Sequence, residues 1–548
     1  MAYVITQRCC NDASCVSECP VDCIRPTPEQ PEFATAEMLY IDPDTCIDCG
    51  ACADACPVGA IFPEDELSAS LARFRDLNAD YFRWRPLAAD TAPVPPPTPL
   101  PIGQGPLRVA IVGAGPAACY AAQDLLARGA LVDIFDRLPT PWGLVRGGVA
   151  PDHAHTKTVT EAFRPLLRHP NVRFHLNVEV GRHISHDELI EHRHAVLYAV
   201  GASSDRRLGV PGEDLPGSHS ATEFVAWYNG HPDYADRAFD LSGERAVIVG
   251  NGNVALDIAR VLTTDPDLLA STDIADHALD ALRQSRIREV VLLGRRGPAQ
   301  AAYTTPEFLA LGHLPGVEVV IDESEVELDP ASAALLDDPQ ADPSSRWKVS
   351  AAREYAARPA ESGTKRIVFR YLASPLEIRG ADRVEAIDIV RNDLARVGDE
   401  LSARATDSTE VLATGLVLRS IGYRGEPLRG LPFDHDRGVV PNDRGRVAAG
   451  VYVAGWIKRG PRGVIGTNRF DAAETVEVLA ADFLAGELTE PAHDHDALTA
   501  LVASRRPEVV DRAGWAAIDE AERAAGKVVS RPRVKLTSVD ALVRAARG

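Results

Sequence analysis

A small cysteine-rich α+β domain, followed by an α/β portion with two dinucleotide-binding (Rossmann-like) units, is the architecture this sequence predicts. Three observations lead there. Nine of the ten cysteines lie at positions 9, 10, 15, 19, 23, 46, 49, 52 and 56, and only Cys119 lies beyond them. Two strand–glycine–helix phrases, RVAIVGAGPAACYAAQDLL and ERAVIVGNGNVALDIARVL, each open a βαβ unit. Between the cysteines and the first of these, residues 91–106 (TAPVPPPTPLPIGQGP) hold seven prolines. That composition favours extended polyproline II and packs no core, so a semi-rigid spacer is expected.

At 548 residues, 45% hydrophobic and 25% charged, the chain reads as ordinary globular protein, with three or four domains at about 100–200 residues each. No run approaches the ~18 apolar residues of a spanning helix, and the N-terminus has neither a basic start nor an apolar segment, so a cytoplasmic protein is expected. The net charge of −21 repels phosphate backbones and anionic lipid. Neither nucleic acid nor membrane is therefore expected as a partner, whereas a basic protein surface would suit. Residues 1–66 carry thirteen acidic side chains against Arg8 and Arg25, about half the net charge on an eighth of the chain. Without a secretion signal, the cysteine cluster reads as metal ligation rather than a disulfide framework.

Cys46-x2-Cys49-x2-Cys52-x3-Cys56-Pro57 has the spacing of a cubane-binding run, in which three close thiolates hold one iron–sulfur cluster and the fourth serves the other. Zinc fits less well, since it usually takes two separated pairs. Laid on the same template, Cys9-x2-Asp12-x2-Cys15-x3-Cys19-Pro20 keeps the register with aspartate in place of the second cysteine. The crossed rule assigns Cys46, Cys49, Cys52 and Cys19 to one [4Fe-4S] cluster, leaving Cys9, Cys15 and Cys56 for a second. That second cluster is [3Fe-4S], or [4Fe-4S] with Asp12 or solvent on its fourth iron. Cys10 and Cys23 are left over as packing thiols, with Cys10 an alternative to Cys9 if the loop slips one residue. The block resembles bacterial two-cluster ferredoxins, especially the seven-iron types, over residues 1 to about 66. Residues 67–90 add a helix and an aromatic patch expected to dock against its edge.

Gly113-x-Gly115-x-x-Ala118 lies between a strand and a helix, where glycines let backbone amides meet a pyrophosphate. The following strand ends at Asp136, placed to bond ribose hydroxyls and repel a 2′-phosphate, which fits the adenosine half of FAD or NAD. Gly250-x-Gly252-x-x-Ala255 repeats the pattern, and the strand REVVLLG leads into Arg295-Arg296, which would accommodate the 2′-phosphate of NADPH. The gap from Ala255 to Arg295 is about twice the usual one. An insertion near 264–285 accounts for it; were the second strand inside that segment, the arginines would lose their role. Iron–sulfur clusters move single electrons while NADPH delivers a pair, so a flavin is required between them and the first site takes FAD. Residues 321–364, rich in Asp, Ser and Pro, are expected as surface loops. Cys119 lacks a partner, which argues for a buried helix residue and against a disulfide reductase.

The phrases LPTPWGLVRGGVAPDH (138–153), GNGNVALDIAR (250–260), GRRGPAQAAYTTPE (294–307) and VAGWIKRGPRGVIGTN (453–468) resemble ferredoxin-NADP reductases of the adrenodoxin-reductase type. With the cysteine-rich unit, the whole chain resembles the bacterial fused ferredoxin/ferredoxin-NADP reductases. The fold class is then an α+β ferredoxin domain followed by α/β FAD and NADPH domains. Its domains would be the two-cluster ferredoxin at 1–66, a connector with the Pro-rich linker at 67–106, the FAD domain at 107–206 and 421–548, and the NADPH domain at 207–420. The resemblance implies that Ala117, Asp136, Leu144, Val180, Trp456, Gly463, Val464 and Ile465 contact FAD alongside Gly113 and Gly115. It likewise implies that Asn253, Val254, Ala255, Leu256, Arg295, Arg296 and Glu307 contact NADPH. His153 would tune the flavin or orient the nicotinamide, unless it is a hydrogen-bonded structural residue, and no acid or base is obligatory.

The implied function passes electrons between NADPH/NADP+, FAD, the two clusters and an external one-electron acceptor protein, such as a ferredoxin or a cytochrome P450. An alternative is an NADPH-oxidising subunit resembling the small subunit of glutamate synthase, which predicts a stable large partner. A non-enzyme alternative makes the first domain a recruitment or cluster-carrier module on a structural flavoprotein.

Overall fold

The computed structural model describes residues 2–87, 98–100, 105–338, 341–359, 365–397 and 400–548. Most of the proline-rich stretch expected as a spacer, 91–97 and 101–104, lies outside the described residues.

The cysteine-rich unit is built twice over on one pattern. Strand Tyr3–Ile5 pairs antiparallel with Ile61–Pro63, and Ile24–Arg25 pairs antiparallel with Tyr40–Ile41. Two one-turn helices, Ser14–Glu18 and Ala51–Ala55, pack together. Each follows a left-handed residue (Ala13, Gly50), buries one cysteine (Cys15, Cys52) and ends on another (Cys19, Cys56). The internal repeat in the cysteine spacing is thus a repeat in backbone form. Helix Arg73–Trp84 buries Phe74, Leu77 and Tyr81 against this unit. Its Asn78 accepts N–H bonds from Ile5 (3.2 Å) and Ile41 (2.8 Å) and donates to the Ile5 carbonyl, tying the helix to both ribbons.

The first six-stranded sheet runs Arg446–Ala448, Val451–Val453, Ala195–Tyr198, Arg108–Val112, Leu131–Asp136, Val172–Leu176 in spatial order, parallel except at its first pair. Its central strands are almost wholly buried and apolar, as parallel strands covered on both faces must be. Helices Pro116–Ala127 and Thr467–Leu484, from opposite ends of this portion, pack on one another. The second sheet runs Ser218–Ser220, Leu416–Arg419, Arg245–Val249, Glu289–Leu293, Lys365–Arg370, Val317–Ile321, all parallel. A three-stranded antiparallel meander, Ala373–Arg379, Ala386–Val397 and Glu400–Ala413, is appended to it. Where the chain passes between the sheets, Ser204–Asp205 pairs with Tyr423–Arg424.

The strand next to Arg245–Val249 is Glu289–Leu293, so the extra length near 264–285 is an insertion, carrying helices Pro266–Leu269 and Asp276–Arg283. The stretch 321–364 differs from the loops expected of it. Helices Pro330–Asp337 and Pro343–Ala356 form there, each started by an Asp-Pro pair whose aspartate accepts first-turn N–H bonds. The second buries Trp347, Val349, Ala352 and Tyr355.

One apolar core joins the cysteine-rich unit to the first sheet, running from Ile5, Ile24 and Met38 through Leu107, Cys119 and Trp142 to Trp515. The unit also reaches the second sheet's portion. The Glu37 side chain, 8% exposed, pairs with Lys348 at 2.7 Å and accepts the Thr305 N–H at 2.7 Å. Tyr40 lies against Trp347, and Arg73 pairs with Glu354. Among the described residues no helix is long and apolar enough to cross a membrane.

Candidate functional site

Cys19, Cys46, Cys49 and Cys52 line one cavity, together with Cys23 and the apolar walls Tyr3, Ile24 and Ile41. Cys23 is a neighbour of this set: its Sγ lies 3.4 Å from the Cys19 Sγ, and its N–H donates to the same sulfur. That contact lowers the Cys19 thiol to about 6, while burial raises Cys52 to about 12. Cys9, Cys15 and Cys56 form a second group, in which the Ala60 N–H donates to the Cys56 Sγ at 3.3 Å. Burial raises Cys9 to about 12 and Cys15 further, each with the charge on Cys56 adding to it. Sulfurs gathered in two groups, with backbone amides aimed at Cys19 and Cys56, fit cluster ligands.

Asp12 lies beside this second group, its charge acting on Cys9, Cys10 and Cys15. Its Oδ1 accepts the Ser14 N–H at 3.0 Å, and its Oδ2 lies 3.4 Å from Arg469 Nη1. Cys10 is buried, and its carbonyl accepts the Gly466 N–H at 2.8 Å.

The first glycine turn is a cradle of close backbone approaches. Gly113 (φ +108°) would place a Cβ 2.4 Å from the Ala199 carbonyl oxygen, and Gly455 (φ +76°) would place one 2.7 Å from the Ala117 Cβ. Gly115, at the start of helix Pro116–Ala127, has no neighbour nearer than 3.8 Å at that position, so its face stays open, as a pyrophosphate needs. Asp136 accepts the Ala114 N–H and the Leu138 N–H, both at 2.9 Å, which ties the strand end to the glycine turn. Around this cradle stand Leu144, 39% exposed at a helix start, and Trp456, whose ring meets Tyr423. The Gly463–Ile465 segment is held by Thr467 and Asn468: the Val464 N–H donates to Thr467 Oγ1, and Asn468 donates to the Ile465 carbonyl. Val180, bridged to Ile184, packs against the core that holds Val112 and Phe135.

The second turn repeats the arrangement. A Cβ on Gly250 (φ +114°) would sit 2.1 Å from the Ser420 carbonyl oxygen, while Gly252 is open to 4.0 Å. Asn253 Oδ1 accepts the Thr304 N–H at 2.8 Å, so the first helical residue holds the 294–307 segment. Ala255 and Leu256 are wholly buried, and Val254 is partly so. Arg295, exposed, and Arg296, half-buried, follow the strand Glu289–Leu293 directly. Both cradles fit a dinucleotide.

Between the cradles lies an ionic cluster centred on the buried Arg260. Arg260, on the helix after Gly252, bonds Asp152 at 2.5 Å, Asp257 at 2.8 Å and Glu307 at 3.4 Å. His153 Nε2 lies 3.6 Å from Glu307 Oε2. Burial and then Arg260 lower the His153 pKa, which keeps the imidazole neutral at pH 7. Burial raises Asp257 and Glu307; for Asp152 it is outweighed by Arg260, and the pKa falls. Asp152 and His153 come from the first portion and the other three from the second, so this cluster joins the two. Sequence reasoning gave no role to Asp152, Asp257 or Arg260, although all three stand in the phrases 138–153 and 250–260.

Comparison with known proteins follows the same division. Residues 39–62 match the 4Fe-4S binding domain family, and residues 107–290 match the pyridine nucleotide-disulphide oxidoreductase family. A probable ferredoxin/ferredoxin–NADP reductase of Mycobacterium tuberculosis is 50% identical, with 100% of this chain and 95% of that protein covered. The chain belongs to the ferredoxin/ferredoxin–NADP reductase family. A further member from Mycobacterium leprae is 48% identical over 100% of this chain and 98% of its own. The solved structure of Mycobacterium tuberculosis FprA in complex with NADPH is 48% identical, with 81% of this chain and 100% of that chain covered and a TM-score of 0.77.

Proposed function

We propose that this family member is a ferredoxin–NADP reductase carrying its own ferredoxin, passing electrons from NADPH to an external one-electron acceptor protein. When bound, FAD would accept the hydride pair and pass it on singly, and the clusters would carry single electrons. Gly113, Gly115, Ala117, Asp136, Leu144, Val180, Trp456 and Gly463–Ile465 are assigned to FAD. Asn253–Leu256, Arg295, Arg296 and Glu307 are assigned to NADP(H), Asn253 and Val254 from the open side of the cradle. Cys19, Cys46, Cys49 and Cys52 are assigned to a [4Fe-4S] cluster, and Cys9, Cys15 and Cys56 to a second. The domains are taken as 1–66, 67–106, 107–206 with 421–548, and 207–420; the site of action is the cytoplasm, and the acceptor a ferredoxin or a cytochrome P450.

The observation that carries the hydride half is the Arg260 cluster, which ties the glycine helix of the second cradle to Asp152–His153 of the first. A neutral His153 can accept a hydrogen bond beside the nicotinamide without adding positive charge that would oppose hydride departure. Asp152 and Glu307 orient Arg260, which is itself buried.

Anaerobic titration with NADPH tests the reading. Flavin bleaching followed by loss of cluster absorbance is expected in the full chain, and flavin bleaching alone in a deletion of 1–100. Clusters that stay oxidised beside reduced flavin would rule the relay out.

A further inference from the structure

Among the described residues, the segment Gly466–Arg469, just after the Gly463–Ile465 loop, meets the cysteine-rich unit beside one of the two cysteine groups. The Gly466 N–H donates to the Cys10 carbonyl at 2.8 Å. A Cβ on Gly466 would lie 2.2 Å from the Asp12 nitrogen and 2.3 Å from the Asn11 carbonyl carbon, so the two backbones touch. Arg469 Nη1, one helical turn on, donates to the Asp12 carbonyl and to Ser14 Oγ, both at 3.0 Å, and lies 3.4 Å from Asp12 Oδ2. Phe470 meets Phe33 edge to face at 5.1 Å. On the other side, Thr158 Oγ1 donates to the carbonyl of Pro57, the residue after Cys56, at 3.0 Å. Residues 10–14 and 57 bracket Cys9, Cys15 and Cys56.

The other group faces away. Cys49 is exposed, and Ile47 beside it is 57% exposed, one of the few large apolar side chains so open. Asp44, Asp48 and Asp54 are exposed around it.

We infer that electrons leaving the reductase portion arrive at the Cys9–Cys15–Cys56 site, that the Asp12–Arg469 pair holds this junction, and that electrons leave from the Cys19–Cys46–Cys49–Cys52 site. This rests on the relay proposed above. Asp12 stands where a fourth thiolate would, and it serves as a docking anchor. The balance is that NADPH becomes NADP+ and H+, and its two electrons cross singly to reduce two molecules of the external acceptor by one electron each. That acceptor presents basic side chains around its own redox centre, complementary to the three aspartates.

The experiment is rapid-freeze electron paramagnetic resonance of the full chain mixed with NADPH, on wild type, Cys15→Ser and Cys46→Ser. In wild type the three-cysteine site is reduced first. In C15S the four-cysteine cluster stays oxidised with NADPH although dithionite reduces it, and in C46S the external acceptor is no longer reduced. Earlier reduction of the four-cysteine site in wild type, or its reduction at the wild-type rate in C15S, overturns the order. Neither site responding in wild type while the flavin bleaches instead defeats the relay itself.

Arg469→Glu and Arg469→Lys test the anchor with all ligands intact. Charge-assisted bonds to Asp12 and Ser14 are lost in R469E, so cluster reduction slows about tenfold and amide exchange at Gly466 rises, while R469K recovers both. Unchanged rate and exchange in R469E remove the anchor.

Discussion

At the scale of single residues, buried charge is where this chain is most exposed to mutation. Arg260 is 4% exposed and holds three carboxylates. Replacing it with leucine leaves three partly buried carboxylates without a counter-ion, a loss of about 1–3 kcal/mol. Urea unfolding of Arg260→Leu should show that loss, together with slower flavin reduction by NADPH; wild-type stability would mean that the carboxylates simply take up protons. Glu522 is the acid counterpart, 1% exposed, bonded to Arg146 at 2.6 Å and Arg533 at 2.9 Å. Burial alone would raise its pKa, but the two arginines outweigh it and the net shift is downward. Its stabilisation is therefore full above its unfolded pKa of about 4.3 and fades as pH falls through the folded value. Wild type and Glu522→Gln should differ by a constant amount at pH 6–8, and converge only in acid. The cysteine spacing foreshadows the gathering of Cys19, Cys46, Cys49 and Cys52 round one cavity, because cluster geometry constrains ligand spacing in the chain, but it left out Cys23, which lines the same cavity. Arg260 and Arg469 were not legible as links: apart from Asp257, three residues before Arg260, the carboxylates they meet lie 47, 108 and 457 positions away, and no local pattern encodes such meetings.

At the scale of elements, the glycine turns read correctly because their reason is local: the strand must reverse into a helix where a neighbouring strand end leaves no room for a Cβ. At Gly250 that neighbour is the Ser420 carbonyl, 2.1 Å from where the methyl of Gly250→Ala would sit. G250A should lower NADPH affinity at least about tenfold while flavin content is kept, since the two cradles sit in separate sheets. Equal affinity by titration calorimetry would mean that the cradle opens without cost. The helices Pro330–Asp337 and Pro343–Ala356 were misread because Asp, Ser and Pro were counted as loop composition. Placed in order, Asp-Pro followed by an apolar run is a helix start. The meander 373–413 left no mark in the reading at all. Its strands interleave charged residues with apolar ones on a half-solvated sheet, and that alternation is weaker than a buried parallel run.

At the scale of the whole molecule, the cysteine-rich unit is seated on both dinucleotide portions at once. Asp12 and Pro57 meet Arg469 and Thr158 on one side, while Glu37 and Arg73 meet Lys348 and Glu354 on the other. The acidic surplus of residues 1–66 supplies two of these pairs, and Arg73 reverses the sign in the third. Glu37 holds the start of the helix that carries Glu307, a residue assigned to NADPH and three positions from Thr304, the Asn253 contact. Anything that shifts this helix when nucleotide arrives is felt by the ferredoxin unit, and binding linkage makes the effect mutual. The expected measurement is hydrogen exchange at residues 36–41 with and without saturating NADP+. A change there, absent in Glu37→Gln, marks the coupling, and identical exchange denies it. A carrier fastened across two bodies and responding in this way also works as a gauge of nucleotide occupancy, read at the iron–sulfur end of the molecule before any electron has moved.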